Sequence, residues 1–579
     1  MSRLRLVVFT EGPLSPVDLV FYERLARDPL LDLRAVVVDG CARRHLPVHR
    51  RVVQGVRRDG WGWLWFKAVT KAAALARNAA LALFDRLHGP ARQESYRTLE
   101  RDTSVPVHHV TDIRSEQSLT LVRSFQPQLG VTVGEGILHE GLVAIPEQGT
   151  LSIDKLNVLR DGDGGPIGDG EKPAGASSIV VTMHAAPSLA PVGVVAEWTI
   201  PLEECDTLES VRIKLDLVGA QLYHDAIRAV ACGERPRDPQ DPHPRRPRPG
   251  PSEFRLWQLE RRLRRRAVQR TPVLRERPSV LKRARVVAQY VLVSPLLFWL
   301  RRRLQRQHSS PVCVLFYHLV ANRPLNHMCL PLEEFVRQME FLRRSYPLLS
   351  LEQAAARLGR DGSDEVAVAI TFDDGYRDNT WAVEYLRYFG IPACFFVSIG
   401  HVLDGSPFEH DRQRGFAPQP LRETDVRRLA DEGFEVGSHG IYHEDFGSLD
   451  GEASERVLSE SRTLIAQVTG TFPEHFSFPK GQRGTNITAE SFNAALRHYR
   501  HVYSAYGGYN IPGRQTREHL VRLGNPADVI ELAMILDGYT GLRQCLVGNA
   551  WGLKTSGLAP YVASSETGPR SLRSAAGGS

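Results

Sequence analysis

Two adjacent carboxylates and two histidines are the residues of this chain best suited to chemistry. Asp373 and Asp374 end the apolar run Val366-Ala-Val-Ala-Ile-Thr-Phe372, and His439 and His443 follow about 65 residues later. Neighbouring residues at a strand end point in different directions, so one acid can bind a metal while the other accepts a proton. Histidines four positions apart lie on one side of a helix or tight loop and can reach one ion. This pattern predicts metal-assisted hydrolysis.

Each short pattern also has a purely structural interpretation. Asp-Asp-Gly is most often a turn with solvated acids, and a lone His-x3-His is even weaker evidence for a catalytic site. Two further segments, Phe316-Tyr-His318 and Phe476-Ser-Phe-Pro-Lys-Gly481, favour chemistry. With them, residues 311–545 resemble the polysaccharide deacetylases of the NodB-homology type. Thr371-Phe-Asp-Asp-Gly375 is similar to the first motif of that family, and Ser438-His-Gly-Ile-Tyr-His443 is similar to the second.

The resemblance implies a fold and a set of roles. The fold would be a distorted (β/α)7 barrel, and the alternation of short apolar strands with helical stretches fits such a barrel independently. Asp373 would be the general base, and the metal ligands would be Asp374, His439 and His443. Zinc is the favoured divalent metal, with cobalt, nickel or iron as alternatives. Three protein ligands leave positions open for water and substrate.

Two departures from the family pattern concern the remaining roles. Ser477 occupies the position of the third-motif arginine, and no L-x-H motif follows residue 500. The resemblance to poly-N-acetylglucosamine deacetylases implies that His318 replaces the missing acid, with a structural barrel histidine as the alternative. In the same branch Arg522 would orient or tune the base, unless it is an ordinary strand-end arginine. Residues implied to bind substrate are Tyr317, Phe478 and Pro479.

The N-terminal region predicts a Rossmann-like sheet. Leu4–Phe9 and Leu33–Asp39 have the composition of strands, and Val17–Ala26 between them has that of a helix, which together give a βαβ opening. Residues 127–138 and 178–184 resemble the N-terminal domain of formyltransferases.

The formyl-transfer chemistry of that domain is predicted to be missing. The family needs an Asn-x-His pair and a later aspartate, but these positions hold Ser152, Asp154 and Pro191. His184 remains, yet one histidine on a strand is more often structural. We therefore expect a binding or scaffold module, with an active formyltransferase as the alternative.

A strongly basic segment lies between the two regions. Residues 232–306 hold 21 Lys or Arg and 6 acids, whereas the whole chain has a net charge of only +7. Pro236–Gly250 is too proline-rich for a helix or sheet and predicts a linker. The basic stretch Phe254–Arg266 is amphipathic. Val286–Leu300 is too short to span a bilayer, but its basic flanks suit an anionic membrane surface, with a buried inter-domain helix as the alternative. The basic segment contains no motif that reads a nucleic-acid groove, so we do not expect nucleic-acid binding.

These features predict four regions: a formyltransferase-like domain over 1–230, a linker with the basic apolar segment over 231–309, a deacetylase domain over 310–545 and a tail over 546–579. The first residues form a strand rather than a secretion signal, and seven scattered cysteines predict no disulfide framework or cysteine metal site. We therefore expect a cytoplasmic protein, and the sequence leaves open whether it attaches to the inner face of the membrane.

The predicted function is hydrolysis of a carbon–nitrogen bond that is not a peptide bond. An N-acyl group, with acetyl favoured, would leave an amino sugar in a polysaccharide or in a lipid-linked or nucleotide-linked glycan. Asp373 would accept the proton of the attacking water, and a protonated His318 would donate a proton to the leaving amine. The alternatives are a non-catalytic carbohydrate-binding or scaffold protein and a bifunctional sugar formyltransferase and deformylase.

Overall fold

The fold is taken from a computed structural model, which describes residues 3–12, 14–40, 48–68, 95–134, 139–154, 176–184, 191–203, 205–234, 280–322, 328–359, 364–481, 485–512 and 518–539, with positions 71, 75 and 542. The described residues form two compact units, one within 1–267 and the other within 268–579. The predicted linker 236–250, the basic stretch 254–266 and the tail 546–579 lie outside the described residues. The four predicted region boundaries stay predictions.

The first unit is built on a seven-stranded sheet with the order β3-β2-β1-β4-β5-β6-β7. Its strands are β1 (Leu4–Glu11), β2 (Leu31–Asp39), β3 (Val107–Val110), β4 (Leu129–Val133), β5 (Thr150–Asp154), β6 (Ala176–His184) and β7 (Pro191–Pro201). Its helices are α1 (Pro16–Arg27), α2 (Val48–Asp59), α3 (Tyr96–Thr103), α4 (Glu116–Ser124), α5 (Glu140–Val143) and α6 (Leu208–Ala231).

The predicted βαβ opening is confirmed. β1 is apolar over most of its length and is buried, as expected for a parallel strand covered on both faces. Ser15 accepts a hydrogen bond from the Asp18 amide and caps α1, and Pro16 occupies the first helical turn, where its missing amide costs nothing. β1 pairs in parallel with β2 and β4, whereas β6 and β7 are antiparallel additions. The sheet is therefore Rossmann-like with an antiparallel edge.

In the described part of the second unit, a long helix precedes a barrel of strands and helices. Its strands are β8 (Val312–Tyr317), β9 (Leu319–Val320), β10 (Cys329–Leu330), β11 (Leu348–Leu349), β12 (Ala367–Phe372), β13 (Cys394–Val397), β14 (Glu435–Ser438), β15 (His475–Ser477), β16 (His501–Ser504) and β17 (His519–Leu523). Its helices are α7 (Val280–Arg306), α8 (Leu332–Ser345), α9 (Leu351–Leu358), α10 (Thr380–Phe389), α11 (Ile399–Asp404), α12 (Glu409–Arg412), α13 (Glu423–Asp431), α14 (Gly451–Thr469), α15 (Ala489–His498) and α16 (Val529–Leu536), with a 3-10 turn at Arg377–Asn379.

The predicted (β/α)7 barrel is confirmed by the strand pairing. Strands β12 to β17 pair in sequence order, and β8 pairs in parallel with both β17 and β12, which closes a ring of seven strands. β11 adds to the ring at the edge of β12. β12 is buried at every position, because its residues face either the barrel interior or the surrounding helices. All strands run the same way, so their carboxyl ends meet at one mouth of the barrel.

The apolar segment Val286–Leu300 lies within α7. Among the helices that the structure describes, none is both long and apolar enough to cross a membrane.

Candidate active site

The end of β12 carries the two acids, and its backbone turns sharply between them and the next residue. Asp374 has a φ of 72° and Gly375 a φ of 89°. The Gly375 amide donates to the Asp373 carbonyl at 2.9 Å. A left-handed conformation is uncommon for an aspartate and costs about 1 kcal/mol or more, so it marks a position that the surrounding structure holds in place. The turn gives the two neighbouring carboxylates different surroundings.

Asp374, His439 and His443 come together at the mouth of the barrel. Their ligand atoms all lie within 4.8 Å of one another. The histidine Nε2 atoms are 3.5 Å (His439) and 3.4 Å (His443) from Asp374 Oδ1. His439 directly follows β14, whereas His443 lies in the next loop with a φ of 60°. The tight loop, one of the two geometries allowed by the sequence, is the one observed.

The tautomer of His439 suits metal binding. Its Nδ1 lies 2.7 Å from the Ser477 carbonyl oxygen, so Nδ1 carries the proton and Nε2 presents a lone pair. Ser477 ends β15 and thus supports the site through its backbone, although it lacks the arginine side chain of the common third motif. Burial lowers the pKa of His443 to about 3, so this ring is also neutral, which is the form that binds metals.

The carboxylate of Asp374 supports the same conclusion. Both of its oxygens are buried and have no hydrogen-bond partner among the described residues. Burial raises the pKa of Asp374, but the neighbouring histidines outweigh burial and hold the pKa well below its usual value. A buried ionised carboxylate without donors is costly unless a cation compensates it. The three residues therefore fit a divalent cation.

Asp373 is held by Arg522, which lies on β17, two strands away from β12 in the ring. Arg522 donates from Nη1 to Asp373 Oδ1 at 2.6 Å and from Nη2 to Oδ2 at 2.8 Å. It also donates to Thr371 Oγ1 at 3.1 Å, and its guanidinium lies 4.9 Å from the Phe316 ring centroid and 5.3 Å from that of Phe396. Burial raises the pKa of Asp373, and Arg522 lowers it. The net effect is a pKa below the usual value, so Asp373 stays ionised.

His318 follows β8 and lies close enough to both acids to feel their charges. Its Nδ1 is buried with no hydrogen-bond partner among the described residues, and its backbone carbonyl accepts from Asn379 Nδ2 at 2.8 Å. Burial lowers the pKa of His318, and Asp374 and Asp373 oppose this effect. The structure thus brings together six predicted residues, which are Asp373, Asp374, His439, His443, Arg522 and His318.

Two predicted substrate-binding residues are core residues. The Tyr317 side chain is fully buried and donates to Gln338 Oε1 on α8 at 2.8 Å. Because side chains alternate along a strand, Tyr317 faces the helix layer while His318 does not. Phe478 is 1% exposed and packs in a cluster with Phe446 and Phe476. Neither side chain is exposed to solvent in this structure, and their substrate contacts stay predictions.

The third predicted substrate-binding residue, Pro479, is also buried. Its carbonyl accepts a hydrogen bond from the Gly481 amide at 2.6 Å. A role in the groove stays a prediction for Pro479.

Two residues near the acids were missed by sequence reasoning. His410 Nε2, on α12, lies 4.0 Å from Asp374 Oδ2, and its ring centroid is 5.0 Å from that of His443. The Tyr376 hydroxyl lies 2.9 Å from His410 Nε2 and donates to Asp411 Oδ2 at 2.7 Å. His410 has no motif spacing that could have revealed it, whereas Tyr376 directly follows Asp-Asp-Gly and could have been noticed.

The first unit keeps His184 in a hydroxyl-lined position. His184 Nε2 lies 2.7 Å from Ser152 Oγ and 3.2 Å from Thr182 Oγ1. Asp154 ends β5 and Pro191 begins β7. The residues that occupy the formyltransferase positions are therefore on adjacent strands or their ends.

Both regions are similar to known proteins. The polysaccharide deacetylase family model matches residues 360–498. A Bacillus subtilis (strain 168) protein named for the same family is 28% identical over 185 residues, which are 31% of this chain and 60% of that protein. The chitooligosaccharide deacetylase of Rhizobium leguminosarum bv. trifolii is 30% identical over 138 residues, 24% of this chain and 56% of that protein. The methionyl-tRNA formyltransferase of Halalkalibacterium halodurans is 31% identical over 142 residues, 24% of this chain and 44% of that protein.

The C-terminal region is therefore similar in sequence to polysaccharide deacetylases. The N-terminal region is similar in sequence to formyltransferases. In each comparison the chain spans less than two thirds of the relative, at most 60%.

Proposed function

We propose that the barrel removes an N-acyl group from an amino sugar by metal-dependent hydrolysis, with acetyl as the favoured group. The observation that carries the proposal is the gathering of Asp374, His439 and His443 beside an Asp373 carboxylate that Arg522 keeps ionised. A bound divalent ion, with zinc favoured, would polarise the acyl carbonyl and make water more acidic.

The proposed general base is Asp373. It is ionised and oriented by two charge-assisted hydrogen bonds, so one face of the carboxylate is fixed for accepting a proton from the attacking water. The same two bonds lower its basicity, and therefore Asp373 depends on a water that has already been made acidic. Arg522 acts on the reaction through Asp373 and is a positioning residue.

The proposed general acid is His318. Because burial lowers its pKa, the ring is neutral at rest near pH 7. We propose that the proton which Asp373 takes from the water passes to His318 during turnover, and that His318 then donates it to the departing amine. The adjacent carboxylates of Asp373 and Asp374 favour the transient imidazolium. This differs from the simpler prediction of a ring that is protonated from the start.

The substrate is proposed to be an N-acyl hexosamine in an oligomer or in a lipid-linked or nucleotide-linked form. The purified protein is loaded with Zn²⁺, and acetate and formate release is measured from each substrate form. We expect release that Asp374→Ala abolishes and that Asp431→Ala, at an exposed aspartate of α13, leaves unchanged. Equal release by both variants would refute the proposal. Metal binding without any release would favour a carbohydrate-binding module.

We propose that the first unit does not transfer formyl groups. Formyl transfer in its relatives uses an amide and an imidazole, but Ser152 presents only a hydroxyl, which lies 2.7 Å from His184 Nε2. The test incubates the full chain with a formyl-tetrahydrofolate donor and amino-sugar acceptors and measures formylated product by mass spectrometry. Product formation that is lost in His184→Ala would overturn this proposal.

A further inference from the structure

Helix α7 is fixed to the barrel by one face. Residues of this face are buried with residues of the C-terminal helix in one cluster: Val286, Tyr290, Leu297, Met534 and Tyr539. The Tyr290 and Tyr539 rings are 5.3 Å apart, and the Tyr290 hydroxyl donates to Asp537. Arg301 adds an ion pair with Asp537 at 3.6 Å. The helix is therefore held in one rotation about its axis.

The opposite face of α7 is apolar and exposed. Leu292 is 80% exposed, Leu296 is 50% exposed and Trp299 is 54% exposed. These positions follow one another at three- and four-residue spacing, so they form a single stripe along the helix. The other exposed residues of the stripe are Ala288, Val291, Pro295 and Leu300. A continuous exposed stripe of this kind marks an interaction surface.

The charge of the helix indicates what kind of surface it meets. Residues 280–306 contain seven Lys or Arg and no Asp or Glu. Arg285 is exposed before the stripe, and Arg302, Arg303 and Arg306 are exposed after it. The Arg303 guanidinium lies 5.7 Å from the ring centroid of Trp299, at the boundary between the apolar and cationic parts. An apolar centre with cations at both ends is complementary to an anionic, amphipathic surface.

We propose that the outward face of α7 is a docking surface for an anionic lipid membrane, with the helix lying in the plane of the interface. Leu292, Leu296 and Trp299 would enter the acyl boundary while the arginines contact lipid phosphates. A second copy of the chain is a poorer occupant, because it would bring an equal set of cations against the first.

The test is co-sedimentation of the full chain with vesicles. Vesicles of phosphatidylglycerol and phosphatidylcholine are compared with vesicles of phosphatidylcholine alone, at low salt and at about 0.5 M salt, where surface charges are screened. We expect binding to the anionic vesicles that weakens at high salt. Leu292→Ser and Trp299→Ser should each reduce binding about ten-fold, because each removes one large apolar side chain from the interface.

Trp198→Ser is the matched control for Trp299→Ser, because Trp198 is 56% exposed but lies on β7 of the first unit. It should leave vesicle binding unchanged. The double variant Arg302→Gln/Arg303→Gln tests the charges independently of the apolar residues, and it should lower binding to anionic vesicles only. Thermal unfolding of each variant should match that of the parent, since all these side chains are exposed.

Three results would overturn the proposal. The first is equal vesicle binding by Trp299→Ser and Trp198→Ser. The second is equal binding of the parent to neutral and anionic vesicles. The third is a doubled mass in sedimentation velocity without lipid that Leu292→Ser abolishes, because this would show that a second copy covers the stripe.

Discussion

Replacing Arg522 by glutamine tests the proposed ion pair at the base. The two hydrogen bonds to Asp373, at 2.6 and 2.8 Å, join side chains that are 1% and 5% exposed. Removing one partner of a buried pair leaves an uncompensated charge and costs about 3–5 kcal/mol of unfolding free energy. The matched control is Arg497→Gln, because Arg497 pairs with Glu455 at the surface, where both side chains are more than a third exposed. That change should have little effect on stability, because solvent screens an ion pair at the surface.

The pH dependence of this loss gives a sharper test. In the parent, the pKa of Asp373 is lowered, so the stability from the pair is present above the unfolded pKa of about 4 and is lost as the pH falls through the lower folded pKa. Arg522→Gln removes the cation that opposes burial most strongly, so the pKa of Asp373 in the variant is higher than in the parent. The stability difference between parent and variant should therefore be largest near pH 7 and should narrow as the pH falls towards 4.

Urea unfolding at several pH values measures this difference, and kcat/KM measured over the same range tests the base. Because only ionised Asp373 can accept a proton, activity of Arg522→Gln should survive only at higher pH than in the parent. Adding Asp373→Asn to Arg522→Gln should recover stability, since a carboxamide needs no cation, but should not recover activity. A stability loss below about 1 kcal/mol, or one that does not change with pH, would refute the reasoning.

Four further predictions follow from the same site. His318→Gln should lower kcat about 10²- to 10⁴-fold and leave Zn²⁺ binding by calorimetry unchanged; a parental kcat would exclude the general-acid role. Chelation with EDTA should abolish hydrolysis and lower the melting temperature. Added Zn²⁺ should restore hydrolysis and the melting temperature in the parent but not in Asp374→Ala, and calorimetric scans with added metal would show the difference in melting temperature. Gly375→Ala should cost about 1–2 kcal/mol in urea unfolding, because φ is 89° and the added Cβ would lie 3.2 Å from Val397 Cγ1; an unchanged midpoint would contradict the observed turn. His410→Phe should lower activity about ten-fold, because it removes the imidazole that lies 4.0 Å from Asp374 Oδ2, and equal kcat and KM in the variant would show that His410 has no part in the site.

The sequence by itself determined the fold class and the centre of the site. The sequence alternates between segments with the apolar spacing of strands and segments with that of helices, and this alternation predicts the barrel. The spacing carries this information because it reflects which face of each element is buried. Asp373 and Asp374 could be predicted because they end an apolar strand, and parallel strands bring such ends together. His439 and His443 could be predicted because their spacing is local. The alternation of side chains along β8 also implied that Tyr317 could not face the same way as His318, although both had been assigned to the site.

Only the tertiary structure decided the contacts between distant parts of the chain. Arg522 reaches Asp373 across 149 positions of sequence because ring closure makes β17 and β12 neighbours of β8. His410 enters the site from the short helix α12, whose position depends on packing rather than on any local pattern. The exposed stripe of α7 is likewise a tertiary result, because its sequence is apolar on both sides and only the contact with α16 determines which side faces outward.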